Sequence, residues 1–298
     1  MTAVKLLLAL CAFGSSAIVN AQPLRMYSEF RRVGPNNEIV RQDAIGDPRE
    51  IISPAVLRGM HVSYRIVAAT PPGMHYWMYV GANPDDVISY ALYREHTAAG
   101  VPASLEKVDT PVEGTMPPQG SAGARLADTY LLDLYIPPAT PASRIRIEAQ
   151  LNFDNRWVIY PLEVRVLEGT LAASVPGDAA LPAPKNFTNT ADASRLAFQS
   201  ELCQRSSPGL FDPAARALAA SLTMPSQSAF LIRNAQQDLA LIRTAVSRHG
   251  QDEVVKGLVD ALGASPMATF CASNTKPYNP EIILRARDFL IRNSVPTE

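Results

Sequence analysis

A chain of 298 residues, 47% hydrophobic and carrying a formal charge of −1, suits one large domain or two ordinary ones, each with its own core. The near-neutral balance excludes a nucleic-acid footprint, which needs clustered positive charge. Twenty-two of the 27 basic residues are arginine, and they are scattered along the chain as a solvated surface would have them.

Residues 1–21 read as a secretory signal. Lys5 supplies a positive n-region, and residues 6–19 form an apolar run too short and too interrupted by Gly and Ser for a good membrane span. Val19 and Ala21 put small residues where signal peptidase needs them, so Gln22 is the expected mature start. Leu10 stands before Cys11 where a lipoprotein would need a small residue. The expectation is export to the periplasm or the extracellular space, with no membrane span left after cleavage. Losing Lys5 and Cys11 takes the formal charge from −1 to −2 and leaves two cysteines, Cys203 and Cys271. In an oxidising compartment such a pair most simply forms one structural disulfide. Neither cysteine sits in a C-x-x-C motif, and closing a loop of this length contributes roughly 4 kcal/mol on the chain-entropy model.

From residue 22 to 170 the texture is that of strands. Within 56–68, Met60, Val62, Tyr64 and Ile66 share one face, and His61, Ser63 and Arg65 the other. After a Pro71-Pro72-Gly73 turn, Met74, Tyr76, Met78 and Val80 alternate with His75, Trp77 and Tyr79. Asn83, Pro84 and Asp85 are turn chemistry, and 87–93 is a further strand. The polar, Pro/Gly-rich stretch 94–127 reads as an excursion over one end, with weak strand signals near 105–108. Alternation resumes over 128–136. In 143–151, Ile145, Ile147, Ala149 and Leu151 face inward, with Arg144, Arg146, Glu148 and Gln150 outward. A hairpin at 152–155 leads into 157–167, where Val158, Tyr160, Leu162, Val164 and Val166 face inward. Six or seven short strands with no helical pattern between them point to an antiparallel β-sandwich.

The runs Thr129-Tyr-Leu-Leu-Asp-Leu-Tyr-Ile-Pro-Pro-Ala-Thr-Pro-Ala142, Ile145-Arg-Ile-Glu-Ala149 and Tyr160-Pro-Leu-Glu-Val-Arg-Val166 resemble immunoglobulin-like accessory sandwiches of secreted bacterial proteins. In those, a strand ending in P-x-x-x-P leads into a hairpin whose last strand closes the domain, and some sit beside glycosidase domains. The likeness spans about 40 residues and lacks the Cys…Trp…Cys arrangement of antibody domains. It implies a fold and no activity.

Residues 171–186 are rich in Ala and Pro and suit a semi-rigid linker. From 187 to 298 the apolar spacing is helical, and the expectation is a small α-helical bundle. Asn189-Thr190 caps a first segment reaching Cys203, and Asp212-Pro213 opens another over 214–222. Ser226 or Ser228 opens the longest helix, carrying Phe230, Leu231, Ala235, Leu239, Ile242 and Val246 and ending near Gly250. Val254, Val255, Leu258, Val259 and Leu262 line the next, stopped by Gly263, and Asn279-Pro280 starts the last. This half resembles no familiar family.

No catalytic motif is present: there is no G-x-S-x-G elbow, no phosphate-cradling glycine loop and no H-E-x-x-H. The four histidines lie in unrelated contexts, although His61 and His75, on consecutive strands, could approach across a ladder. Asn83, Asp85 and Asp86 are oxygen donors of the kind calcium uses, but they also make an ordinary turn. No cofactor or metal is expected. The best candidate patch is aromatic: His75, Trp77 and Tyr79 project away from the core stripe and suit a protein interface or a sugar ring. The expected role is a non-catalytic binding or assembly module of the envelope or extracellular space engaging a protein partner. The alternative is a carbohydrate-binding or carbohydrate-processing protein, with its site in 94–127 or where the two halves meet.

Overall fold

The computed structural model describes residues 22–40, 52–98, 101–171, 229–264 and 280–295. The expected signal segment, all of the linker but Leu171, Cys203 and Cys271 with their expected disulfide, and the two helices expected before residue 223 lie outside these residues.

Among the described residues, ten strands form two sheets. The first is antiparallel throughout and runs in the order β1 (Leu24–Ser28), β3 (His61–Ala68), β8 (Asp128–Tyr135), β5 (Ser89–Ala98), β6 (Val101–Val108). The second runs β2 (Ala55–Arg58), β10 (Arg156–Thr170), β9 (Arg144–Phe153), β4 (His75–Asn83), β7 (Val112–Thr115). Only the β2–β10 pair in it is parallel. The described residues after them hold three helices: α1 (Ala229–His249), α2 (Gln251–Leu262) and α3 (Pro280–Ser294). The order of strands first and helices after is as the sequence suggests.

Two expectations change. The stretch 94–127 is no excursion: β5 runs on to Ala98 and returns as β6, and β7 then joins the other sheet. Its strands leave only weak signals in the sequence, near 105–108, because β6 and β7 are edges, where Pro102 is tolerated next to the register shift at His96/Thr97. His61 and His75 do not meet across a ladder either, because the turn between them carries the chain from one sheet to the other.

The alternation explains the shared core. Tyr64, Ile66, Leu132 and Leu134 of the first sheet and Met78, Ile147, Leu151 and Val164 of the second belong to one apolar cluster. The β9–β10 hairpin closes on Asp154 and Asn155, both at positive φ (49° and 54°), the two-residue turn whose twist matches its strands. Tyr76 links the sheets through polar contacts, its hydroxyl donating to Asp128 at 2.6 Å and lying 2.7 Å from the Tyr130 hydroxyl.

A second apolar cluster joins the helices to the strands. Leu241, Ile242 and Ala245 of α1, Val254 and Leu258 of α2, and Ile283 and Leu290 of α3 pack with Phe30, Ala55, Leu57, Met60 and Leu171. Gly250 (φ 78°) turns the chain between α1 and α2, and Gly263 (φ 92°) ends α2 by donating its N–H to the Val259 carbonyl.

Candidate functional site

The outer face of the second sheet carries the aromatic side chains. Alternation along β4 sends Tyr76, Met78 and Val80 into the core and leaves His75, Trp77 and Tyr79 outside, with Trp77 37% exposed. Pairing across three strands adds what no local pattern shows. Trp77 lies opposite Asn152, which lies opposite Trp157, and the next row reads Tyr79, Gln150, Ile159. Trp157 and Ile159 are 56% and 50% exposed. The face is thus two rows of large apolar side chains separated by two side-chain amides.

The rings are packed on one another rather than laid out as separate platforms. Tyr79 and Trp157 reach over β9 to a centroid distance of 5.5 Å, tilted by 41°, and His75 meets Trp77 edge-on at 4.4 Å. The Trp77 indole N–H donates to Glu113 Oε1 at 2.9 Å, which fixes that ring from β7. Ion pairs stand round the patch: Arg144–Glu163, Arg146–Glu148 and Arg156–Asp154. Such an arrangement can desolvate an apolar group of a partner while mixed charges at the rim set its orientation. Asp85 and Asp86 are exposed in the turn after β4.

The outer face of the first sheet behaves differently. His61, Ser63 and Arg65, the polar side of β3, are all buried. Helix α1 and the segment after β1 cover them. Asp133 of β8 accepts from Ser63 Oγ at 2.8 Å and lies 3.1 Å from His61 Nδ1. Arg233 of α1 clamps the same carboxylate with bonds of 2.8 and 2.7 Å. Gln237 does the work of a neighbouring strand: its amide oxygen accepts the His61 backbone N–H at 2.7 Å, and its nitrogen donates to the His61 carbonyl at 2.8 Å. This happens where β1, whose pairing stops at Ser28–Tyr64, no longer covers the β3 edge. Farther on, Arg287 of α3 binds Asp238 through Nε and Nη2 at 2.8 and 2.9 Å and reaches Glu29 at 3.1 Å. Glu29 also accepts from Asn234 at 2.6 Å, and Arg65 holds Glu95 with two bonds of 2.7 Å.

Burial acts on these groups in opposite senses. Asp133 is pushed up by burial, but Arg233 and His61 outweigh that and bring its pKa down to about 2. Burial raises the Glu29 carboxyl and prevails over the opposing pull of Arg287. Burial also lifts the Tyr64 hydroxyl well above the usual phenol range, so it stays protonated.

No family model matches the chain. No curated protein matches it either. Among solved structures it is similar over part of its length to a family 123 glycoside hydrolase from Clostridium perfringens, at 9% identity and a TM-score of 0.34. The match covers 50% of this chain and 27% of that one. The FixG-related protein from Vibrio parahaemolyticus matches at 12% identity and a TM-score of 0.24, over 49% of this chain and 97% of that one. The C-terminal domain of the Streptococcus agalactiae AgI/II polypeptide BspA matches at 10% and 0.24, over 49% and 51%. These partial likenesses carry no functional argument. Among the described residues no helix is long and apolar enough to cross a membrane, and no three His, Cys, Asp or Glu side chains gather as a metal site would need.

The sequence names three of the patch residues, His75, Trp77 and Tyr79, and misses Trp157 and Ile159. Their outward orientation is legible from the β9–β10 hairpin register. That β4 lies on the other side of β9 is a pairing between strands about 70 residues apart, which no local pattern shows.

Proposed function

We propose that this chain is an exported, non-catalytic binding module of the envelope or extracellular space, and that it engages a protein partner through the outer face of the second sheet. The carrying observation is the packed cluster of Trp77, Tyr79, Trp157 and Ile159 on a face that the described helices leave uncovered. Rings packed against each other, His75 edge-on to Trp77 and Tyr79 tilted against Trp157, give a preorganised apolar knob, which suits a protein pocket better than a sugar needing a flat, open ring face. The rim of paired charges supports the same reading, since protein interfaces surround an apolar centre with polar residues. Within this proposal the two sheets form an immunoglobulin-like sandwich, supported by their common core, and the helices a compact bundle, supported by their mutual packing. Export rests on the signal-like residues 1–21.

The test is capture from native envelope extract with the full chain as bait, comparing wild type with Trp157→Ala and with Trp77→Ala. The expected result is a protein retained by wild type and reduced at least tenfold with either variant. Capture indifferent to both substitutions, or a glycan eluting in place of a protein, would overturn the assignment.

A further inference from the structure

Helix α3 borders a cavity of about 560 Å³ together with β2, the start of β3 and Arg165 of β10. That volume falls within the range of small-molecule sites. Much of its wall is apolar, with Ile52, Val56, Met60, Leu284 and Phe289 contributing. Such a wall suits an occupant whose body is apolar. The charges on the wall decide what else that occupant carries.

Among the described residues four arginines line the cavity, and three of them are matched by acids. Arg285 and Arg292 stand one turn after Glu281 and Asp288 on α3 and pair with them at 3.8 and 2.8 Å, so that face of the helix neutralises itself. Arg287 binds Asp238 at 2.8 Å and Glu29 at 3.1 Å. Arg165 has no such partner among the described residues. Its Nε is shut off from solvent without an acceptor. Its neighbour across the β9 ladder is another cation, Arg144, which pairs with Glu163 at 3.1 Å, and β2 presents Ala55 on its other side.

The other titratable groups on the wall do not cancel this charge. The acids there, Glu29, Glu281 and Asp288, are the ones already engaged. His61 adds either no charge or one more positive charge, whichever form it takes. Burial raises the Glu29 carboxyl, and a proton taken up there would remove a negative charge. In each of these states the wall keeps an excess of positive charge, with Arg165 as its unmatched member. A neutral occupant would leave that guanidinium without a counter-charge, and a cation would be repelled by it. A carboxylate accepts from its planar fork and matches its charge, the pairing for which arginine geometry is best suited.

We infer that this cavity binds an apolar molecule bearing a single carboxylate, whose charge pairs with Arg165 while its hydrocarbon body lies against the apolar wall. The inference does not rest on the protein partner proposed for the exposed aromatic face.

Titration calorimetry on the full chain with decanoate, decan-1-ol and acetate tests this. Decanoate should bind at least tenfold more tightly than either of the others, since decan-1-ol lacks the charge and acetate lacks the hydrocarbon. Arg165→Gln should weaken decanoate at least tenfold and leave decan-1-ol as in wild type. Leu284→Trp, which narrows the cavity, should weaken decanoate and decan-1-ol together. Lys107→Gln makes the same change of net charge on the edge strand β6 and should leave all three titrations as in wild type. The inference is overturned if no probe binds, if decan-1-ol or acetate binds as tightly as decanoate, or if Arg165→Gln leaves the preference intact. Decanoate binding unaffected by Leu284→Trp would place it outside the cavity and overturn it as well. Equal losses from Lys107→Gln and Arg165→Gln would do the same, because the preference would then follow net charge and not a site.

Discussion

Replacing Asp133 with alanine tests whether the buried polar seam holds the helices to the sheets. The change deletes bonds from Ser63, His61 and both terminal nitrogens of Arg233, and takes from the Arg233 guanidinium, 4% exposed, the carboxylate it clamps. Breaking a buried pair from one side costs about 3–5 kcal/mol, a large share of the ~5–15 kcal/mol that stabilises a domain. A second contribution is proton-linked. Burial raises the folded carboxyl, but Arg233 and His61 outweigh it and bring it down to about 2, against roughly 3.9 in an unfolded chain, which is worth about 2–3 kcal/mol at neutral pH. Because the folded value is the lower one, this stability is complete above the unfolded value and is lost as pH falls through the folded one. Urea unfolding of wild type, Asp133→Ala, Arg233→Ala and the double variant measures both effects, first at neutral pH and then over an acid series. Each single change should cost about 3 kcal/mol or more, with the double well short of additive. The acid-dependent loss should shrink in the Asp133 variants. Additive single effects below about 1 kcal/mol, of the size surface ion pairs show, would refute this account of the seam.

Gly114→Ala should destabilise by about 1–3 kcal/mol, the usual cost of overpacking. Its new methyl would lie 2.2 Å from a Tyr76 ring carbon that Asp128 and Tyr130 hold in place; an unchanged thermal midpoint would contradict the packing. Gln237→Leu should cost about 1–3 kcal/mol for each His61 backbone group it leaves unmatched, and hydrogen exchange at the His61 amide should quicken. Exchange as slow as wild type would mean that the amide is protected some other way. Trp157→Ala should stay within about 0.5 kcal/mol of wild type in denaturant, as exposed positions do; a larger loss would make the outer face part of the structural core.

Where one side of an element is apolar and the other meets water, the sequence is a reliable guide. The inward sets of β4, β9 and β10, the end of α1, the extent of α2 and the start of α3 follow from period, proline and glycine alone. His61, Ser63 and Arg65 show where that guide stops. They have the alternation of a solvent face, and Arg233, Asn234, Gln237 and Asp238 look like the wet side of a helix. Both sets are buried against each other. A polar surface matched to a polar surface leaves no mark in hydrophobic periodicity. The aromatic patch was half legible for a different reason: each strand shows which side chains point out, but not which strand lies beside it.

The Gln237 amide that closes the β3 edge stands 176 positions after the backbone it serves. During synthesis both sheets are therefore complete in sequence long before that edge can be sealed, and Asp133 waits for Arg233 over 100 positions. In the interval the nascent sheet presents an open strand edge to any other unpaired strand, the circumstance in which chains cross-pair and aggregate. For such a chain the vulnerable period is the delay before α1 appears, and a truncation ahead of residue 229 would make that delay permanent.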